Sequence, residues 1–111
     1  MKFKSKVVVV TGGAHGIGQA IVEDFRKEGA VVEVIDKTPG TYFVWDIGNK
    51  ETLEAFSSYV LEKHSHIDYL INNALPIMKG IDECSYEEFQ YALSVGVTAL
   101  FYLTKLFKDS F

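Results

Sequence analysis

The chain has 111 residues, 48% of them hydrophobic and 14% aromatic, with a formal net charge of -4. That length is one domain, 1–111, and its apolar content is enough to fill a core, which sets disorder aside. No stretch is strongly basic, so neither nucleic acid nor an anionic membrane is an expected partner.

Residues 1–10, MKFKSKVVVV, imitate the charged flank of a secretory leader. The apolar run lasts only four residues before it meets glycines, so neither a leader nor a membrane span is expected. The single cysteine, Cys84, has no internal disulfide partner and suits a reducing compartment, so a cytoplasmic protein is expected. Residues 6–10 read as a first strand without polar alternation, the pattern of a strand buried on both faces of a parallel sheet. Residues 17–28 form a helix with Ile21, Val22 and Phe25 as its apolar stripe and Gly29 as its stop. A second strand follows at 31–35 and a short third one at 42–45. Residues 50–64 make an amphipathic helix with Leu53, Phe56, Val60 and Lys63 near one face. A fourth strand covers 67–72, and Ser85 with Glu88 three residues later forms a capping box for a long helix over 86–108. His64 and His66 read as solvent-facing turn residues, and no histidine has metal-ligand spacing with Cys84 or the carboxylates.

Strands and helices alternate, so the fold class is α/β: a Rossmann-like parallel sheet of about four strands, ordered 3-2-1-4, with flanking helices and ending before a fifth strand. Only residues 37–41, KTPGT, join the second and third strands. They are too few for a crossover helix, and a bare loop is expected on that face.

The chemistry starts in the turn after the first strand, where residues 11–18 read TGGAHGIG. A strand, a glycine-rich turn and a helix seat a dinucleotide pyrophosphate, because backbone N–H groups of the turn and of the helix start point at the phosphates. Gly12 permits the tight turn, Gly16 lets backbone approach the pyrophosphate, and Gly18 lets the helix pack close to the strand. Ala14, His15 and Ile17 complete this expected cradle, with His15 as a donor to the cofactor. Asp36 ends the second strand, 18 residues after Gly18. A carboxylate there accepts from the adenosine ribose hydroxyls and repels a 2′-phosphate, which selects NAD(H) over NADP(H). Lys37 and His15 are nearby cations, but neither is an arginine.

The spacing G-x-x-x-G-x-G, preceded by Thr11, resembles the short-chain dehydrogenase/reductase family, and the resemblance runs the length of the chain. It implies that Asp46 and Ile47, after the third strand, hold the adenine ring. It also implies that the segment Asn72-Asn73-Ala74 stabilises the sheet centre and lines the nicotinamide-side ribose, with Asn73 and Ala74 at the cofactor. Leu75 stands where the family has a glycine, and Gly96 stands where it has a helix asparagine in its proton relay. The family's Ser and Tyr-x-x-x-Lys pair follow a fifth strand, so no catalytic residue is assigned here and the chain alone is expected to be inactive. Tyr59 and Lys63 do match Tyr-x-x-x-Lys, but they lie in a flanking helix, away from the strand ends where ligands bind, and read as a packing face with a snorkelling lysine.

Two surfaces remain. The fourth strand is an unpaired edge, and Phe89, Leu93, Leu100, Phe101, Leu103, Leu106 and Phe107 surround the last helix. A homodimer through helix 86–108, the strand-four edge or both is expected. Three functions compete: the NAD-binding portion of an oxidoreductase moving hydride between an alcohol or carbonyl and the cofactor, a non-catalytic dinucleotide-binding or oligomerisation module, and a subunit completed by a second chain.

Overall fold

The computed structural model describes residues 1–14, 16–38, 43–44, 46–76 and 79–111. His15, Tyr42, Trp45 and most of the expected bare loop, residues 39–41, lie outside them.

Strand β1 (Val7–Thr11) is buried at every position. Its side chains alternate between two cores. Val7 and Val9 join Ile35, Leu53, Phe56, Val60, Leu103 and Phe107 on one side, and Val8 and Val10 join Val22, Ala30, Val32 and Val34 on the other. An unbroken valine run is what a central strand with two apolar faces requires. Helix α1 (Gly16–Lys27) supplies the second core with Val22, and its chain turns at Gly29, whose φ of +88° is the left-handed geometry of a helix stop. Strand β2 (Val31–Asp36) pairs in parallel with β1, and β3 (Phe43–Val44) pairs with β2.

Helix α2 (Lys50–His64) starts at Asn49, whose side chain accepts from the Thr52 N–H at 3.1 Å. Strand β4 (Tyr69–Ile71) lies on the other side of β1, and the sheet order is β3-β2-β1-β4. It is shorter than the expected 67–72 for two local reasons. The Ile67 N–H donates to Ser110 O at 2.9 Å. Beyond Ile71, the N–H groups of Asn73 and Ala74 both donate to the Thr11 hydroxyl at 3.0 Å, outside the carbonyl ladder.

The capping box forms: Ser85 Oγ accepts from Glu88 N, and Glu88 Oε1 accepts from Ser85 N. The helix it opens is divided into α3 (Tyr86–Leu93), a π-helical turn (Ser94–Thr98) and α4 (Ala99–Phe107), followed by a 3₁₀ turn to Ser110. Gly96 lies in the π turn, where a Cβ would stand 3.3 Å from Pro76 Cδ. The mid-helix glycine therefore marks both a change of helix type and a close approach.

One expectation fails. His64 does not face solvent: its side chain is 13% exposed and its Nε2 lies 2.6 Å from Glu33 Oε2. Glu33 is buried on β2, and a carboxylate withdrawn from water needs partners. The end of α2 provides two, His64 and Lys63, whose Nζ is 3.1 Å away. His66 is half exposed and sits 3.3 Å from Asp68.

Candidate cofactor site

The carboxyl ends of β1, β2 and β4 open on one cleft of about 960 Å3, at the upper end of the ~300–1,000 Å3 of small-molecule sites. It lies where strand order reverses between β1 and β4, the switch point at which open parallel sheets take ligands. Gly12, Ile17, Gly18, Asp36, Ile47, Asn73 and Ala74 line it, so one cavity gathers residues from four separate segments.

Thr11 organises the floor. Its buried hydroxyl accepts from both Asn73 and Ala74, and Asn73 Nδ2 donates to Gly12 O at 3.0 Å. The glycine turn is thus sewn to the end of β4. Gly12, at φ +68°, leaves no room for a side chain, since its Cβ would stand 2.9 Å from Ala74 Cα. A methyl on Gly18 would fall on the Gly12 carbonyl and the Asn73 amide. Gly13 is close-packed as well: a Cβ there would stand 2.8 Å from Val34 on β2 and 2.9 Å from Val22 on α1. Gly16, at φ +61°, faces open space and keeps the helix mouth clear.

Asp36 is buried and fixed from two sides. Its Oδ2 accepts from Ala14 N at 3.1 Å and its Oδ1 from Thr38 N at 3.0 Å. The Ala14 N–H therefore points to Asp36 and not to the helix mouth. Each carboxylate oxygen retains a further lone-pair direction for a ligand hydroxyl.

At the far end, Asp46 Oδ1 accepts from Gly48 N at 2.9 Å and from the Tyr91 hydroxyl at 2.5 Å. Lys37 Nζ donates to the same hydroxyl at 3.4 Å. Desolvation, and then the Asp46 carboxylate, push the Tyr91 phenol above its usual value. That is the reverse of what a catalytic phenol needs. One turn earlier on α3, Glu88 pairs with Lys79. This contact, then the Ser85 N–H, pulls the Glu88 carboxyl down to about 2. Leu75 is 85% exposed and also lines the cleft.

Tyr59 and Lys63 are apart from all this. Lys63 lies 5.6 Å over the Tyr59 ring and pairs with Glu33, and neither residue lines the cleft.

The profile of the short chain dehydrogenase family matches residues 6–111. The chain belongs to that family. Such proteins bind NAD(P), and the residues present fit it: the cradle is clear of side chains at Gly12, Gly16 and Gly18, and the first turn of α1 carries no acidic residue to oppose a phosphate. L-fucose dehydrogenase of Mus musculus is 34% identical over 119 aligned residues, which cover 95% of this chain and 44% of that protein. An apo SCOR enzyme from Clostridium thermocellum superposes with a TM-score of 0.89 at 40% identity, covering 95% of this chain and 49% of that one. A metagenomic short-chain oxidoreductase solved with NADP has the same fold, with a TM-score of 0.89 at 23% identity, covering 99% of this chain and 57% of that one. The chain thus spans about half the length of the relatives it matches.

Sequence reasoning missed how the Thr11 hydroxyl holds the end of β4, and it missed Tyr91 and Lys79 as cleft residues. Thr11 carried a signal, because a hydroxyl ending an apolar strand must find a partner. Tyr91 and Lys79 carried none: they reach the cleft through the packing of α3 and the loop before it.

Proposed function

We propose that these 111 residues form the NAD(H)-binding part of a short-chain dehydrogenase/reductase that moves hydride between the cofactor and an alcohol or carbonyl substrate. The observation that carries this reading is the Asp36 carboxylate standing at the end of β2 in the same cleft as Gly12 and Gly18. The four-stranded order 3-2-1-4 supports it by opening the cleft at the switch point. The pyrophosphate rests on the helix mouth at Gly16, Ile17 and Gly18, and His15, which lies outside the described residues, is the proposed side-chain donor. Asp36 takes the adenosine ribose and disfavours a 2′-phosphate, so NAD(H) is preferred to NADP(H). Asp46 and Ile47 hold the adenine, and Asn73 and Ala74 face the nicotinamide-side ribose.

When bound, the cofactor supplies the hydride acceptor or donor. No described residue is assigned as the proton donor: Tyr91, a phenol lining the cleft, is at the adenine end and ties to Asp46. Taken alone, the chain binds without turnover, and a tyrosine–lysine pair from further polypeptide completes the enzyme. A cytoplasmic setting is part of this reading. Among the described residues no helix is long and apolar enough to cross a membrane.

A second copy is the proposed partner. Tyr86, Phe89, Leu93, Val97, Leu100 and Phe101 are exposed along one stripe of α3, the π turn and α4, at helical spacing. A stripe of this size on water favours association. The edge of β4 is the alternative surface. Sedimentation that returns a monomer mass at all concentrations would sink the dimer.

Isothermal titration with NADH and NADPH tests the cofactor reading. Saturable binding that favours NADH is expected, and no binding at millimolar ligand refutes it. In that case the non-catalytic module remains, a reading favoured by Leu75 and Gly96 at two positions where the family has other residues.

A further inference from the structure

We infer that Tyr91 is a positioning residue that presents Asp46 to the base of the dinucleotide and makes the site select a 6-amino purine over a 6-oxo purine. The inference rests on the proposed adenine role of Asp46 and Ile47. The geometry at the far end of the cleft supports it. Asp46 Oδ1 takes two donors, the Gly48 N–H from its own turn and the Tyr91 hydroxyl from α3. No described residue donates to Oδ2. One oxygen is clamped, and the other takes no donor from the described residues.

The clamp is braced by packing and by charge. A Cβ at Gly48 would stand 2.7 Å from Tyr91 Cε1, so the ring lies directly on the turn that carries Asp46. Lys37, from the residue after Asp36, lies 5.3 Å from the ring centroid and donates to the hydroxyl. Tyr91 therefore joins α3 to both segments that frame the base, the end of β2 and the turn after β3. A carboxylate oxygen held in place accepts from an exocyclic amino group. Facing a carbonyl at the same ring position it meets a second acceptor, and one acceptor cannot satisfy another. A carboxylate free to swing away discriminates less.

The test compares binding of NADH with that of reduced nicotinamide hypoxanthine dinucleotide, by calorimetry, to the chain and to Tyr91→Phe. The phenylalanine keeps the ring on Gly48 and removes only the hydroxyl. The parent is expected to favour NADH by about tenfold, the scale of one charge-assisted hydrogen bond, and Tyr91→Phe to narrow that ratio at least about threefold. The NADH to NADPH ratio, set at Asp36, stays as it was. Gly48→Ala, which displaces the ring by a different route, is expected to narrow the base ratio in the same way. An unchanged base ratio in Tyr91→Phe, or affinities for both bases that fall together, overturns the positioning role and leaves the cofactor reading standing. A parent that binds neither dinucleotide overturns both.

Discussion

Replacing Asp36 with alanine should produce two separable losses. The first is structural. The carboxylate accepts from Ala14 N at 3.1 Å and Thr38 N at 3.0 Å, and alanine leaves both N–H groups without their acceptor. A stranded buried donor costs about 1–3 kcal/mol. Both bonds are only partly buried and border the cleft, so water replaces part of each and the low end applies, about 2 kcal/mol together. For a chain of this size that lowers Tm by roughly 8 °C or more. The second loss is functional. A hydrogen bond between a charged acceptor and a ribose hydroxyl contributes about 1.5–3 kcal/mol, so NADH affinity should fall about 10- to 100-fold. NADPH, freed from a carboxylate facing its 2′-phosphate, should lose little or gain. The assays are a thermal melt followed by calorimetric titration with each ligand, well below the mutant's Tm. A lowered Tm with an unchanged NADH to NADPH ratio would refute the ribose assignment and leave Asp36 as the anchor of the glycine turn alone.

Gly18→Ala should destabilise by about 1–3 kcal/mol, the usual cost of overpacking, because the new methyl falls on the Gly12 carbonyl and the Asn73 amide; a urea melt with an unchanged midpoint would contradict the packing. Carbon-detected NMR titration should find the Glu88 carboxyl ionising at about 2, not near its ordinary 4.5. Lys79→Ala should move it upward, since Lys79 is the first cause of the shift. The Asp68 carboxyl is held below its ordinary 3.8, chiefly by the Val7 N–H. A carboxylate lowered on folding adds stability that is complete above its unfolded value and lost as acidification carries it through the folded one. Asp68→Asn should therefore flatten the fall in urea stability between pH 6 and pH 3, and an unaltered acid slope would show that the carboxylate contributes nothing to it.

Much of the fold was legible because its signals are local. The valine run of β1 has no polar residue to place outside, so a central strand follows. The Ser85–Glu88 box and the Gly29 stop are short-range hydrogen bonds and backbone preferences that a linear reading captures. Gly12, Gly18 and Asp36 were also legible by their place at the end of a strand or the start of a helix, and Ile47, Asn73 and Ala74 through the family resemblance; all six line the same cleft. Asp46 joins the far end through its bond to Tyr91.

What sequence could not decide was who meets whom across elements. His64 looked like a solvated turn residue because its partner, Glu33, lies 31 positions away and faces it only once α2 is laid on the sheet. The Tyr59-x-x-x-Lys63 match, by contrast, was already set aside as a packing face, and neither residue lines the cleft. Tyr91 reaches Asp46 across 45 residues. Spacing along a chain reports faces and caps, since those depend on neighbours within a turn. Contacts between α3, the β2 end and the β3 turn depend on how apolar faces stack, and that information is shared over the whole molecule.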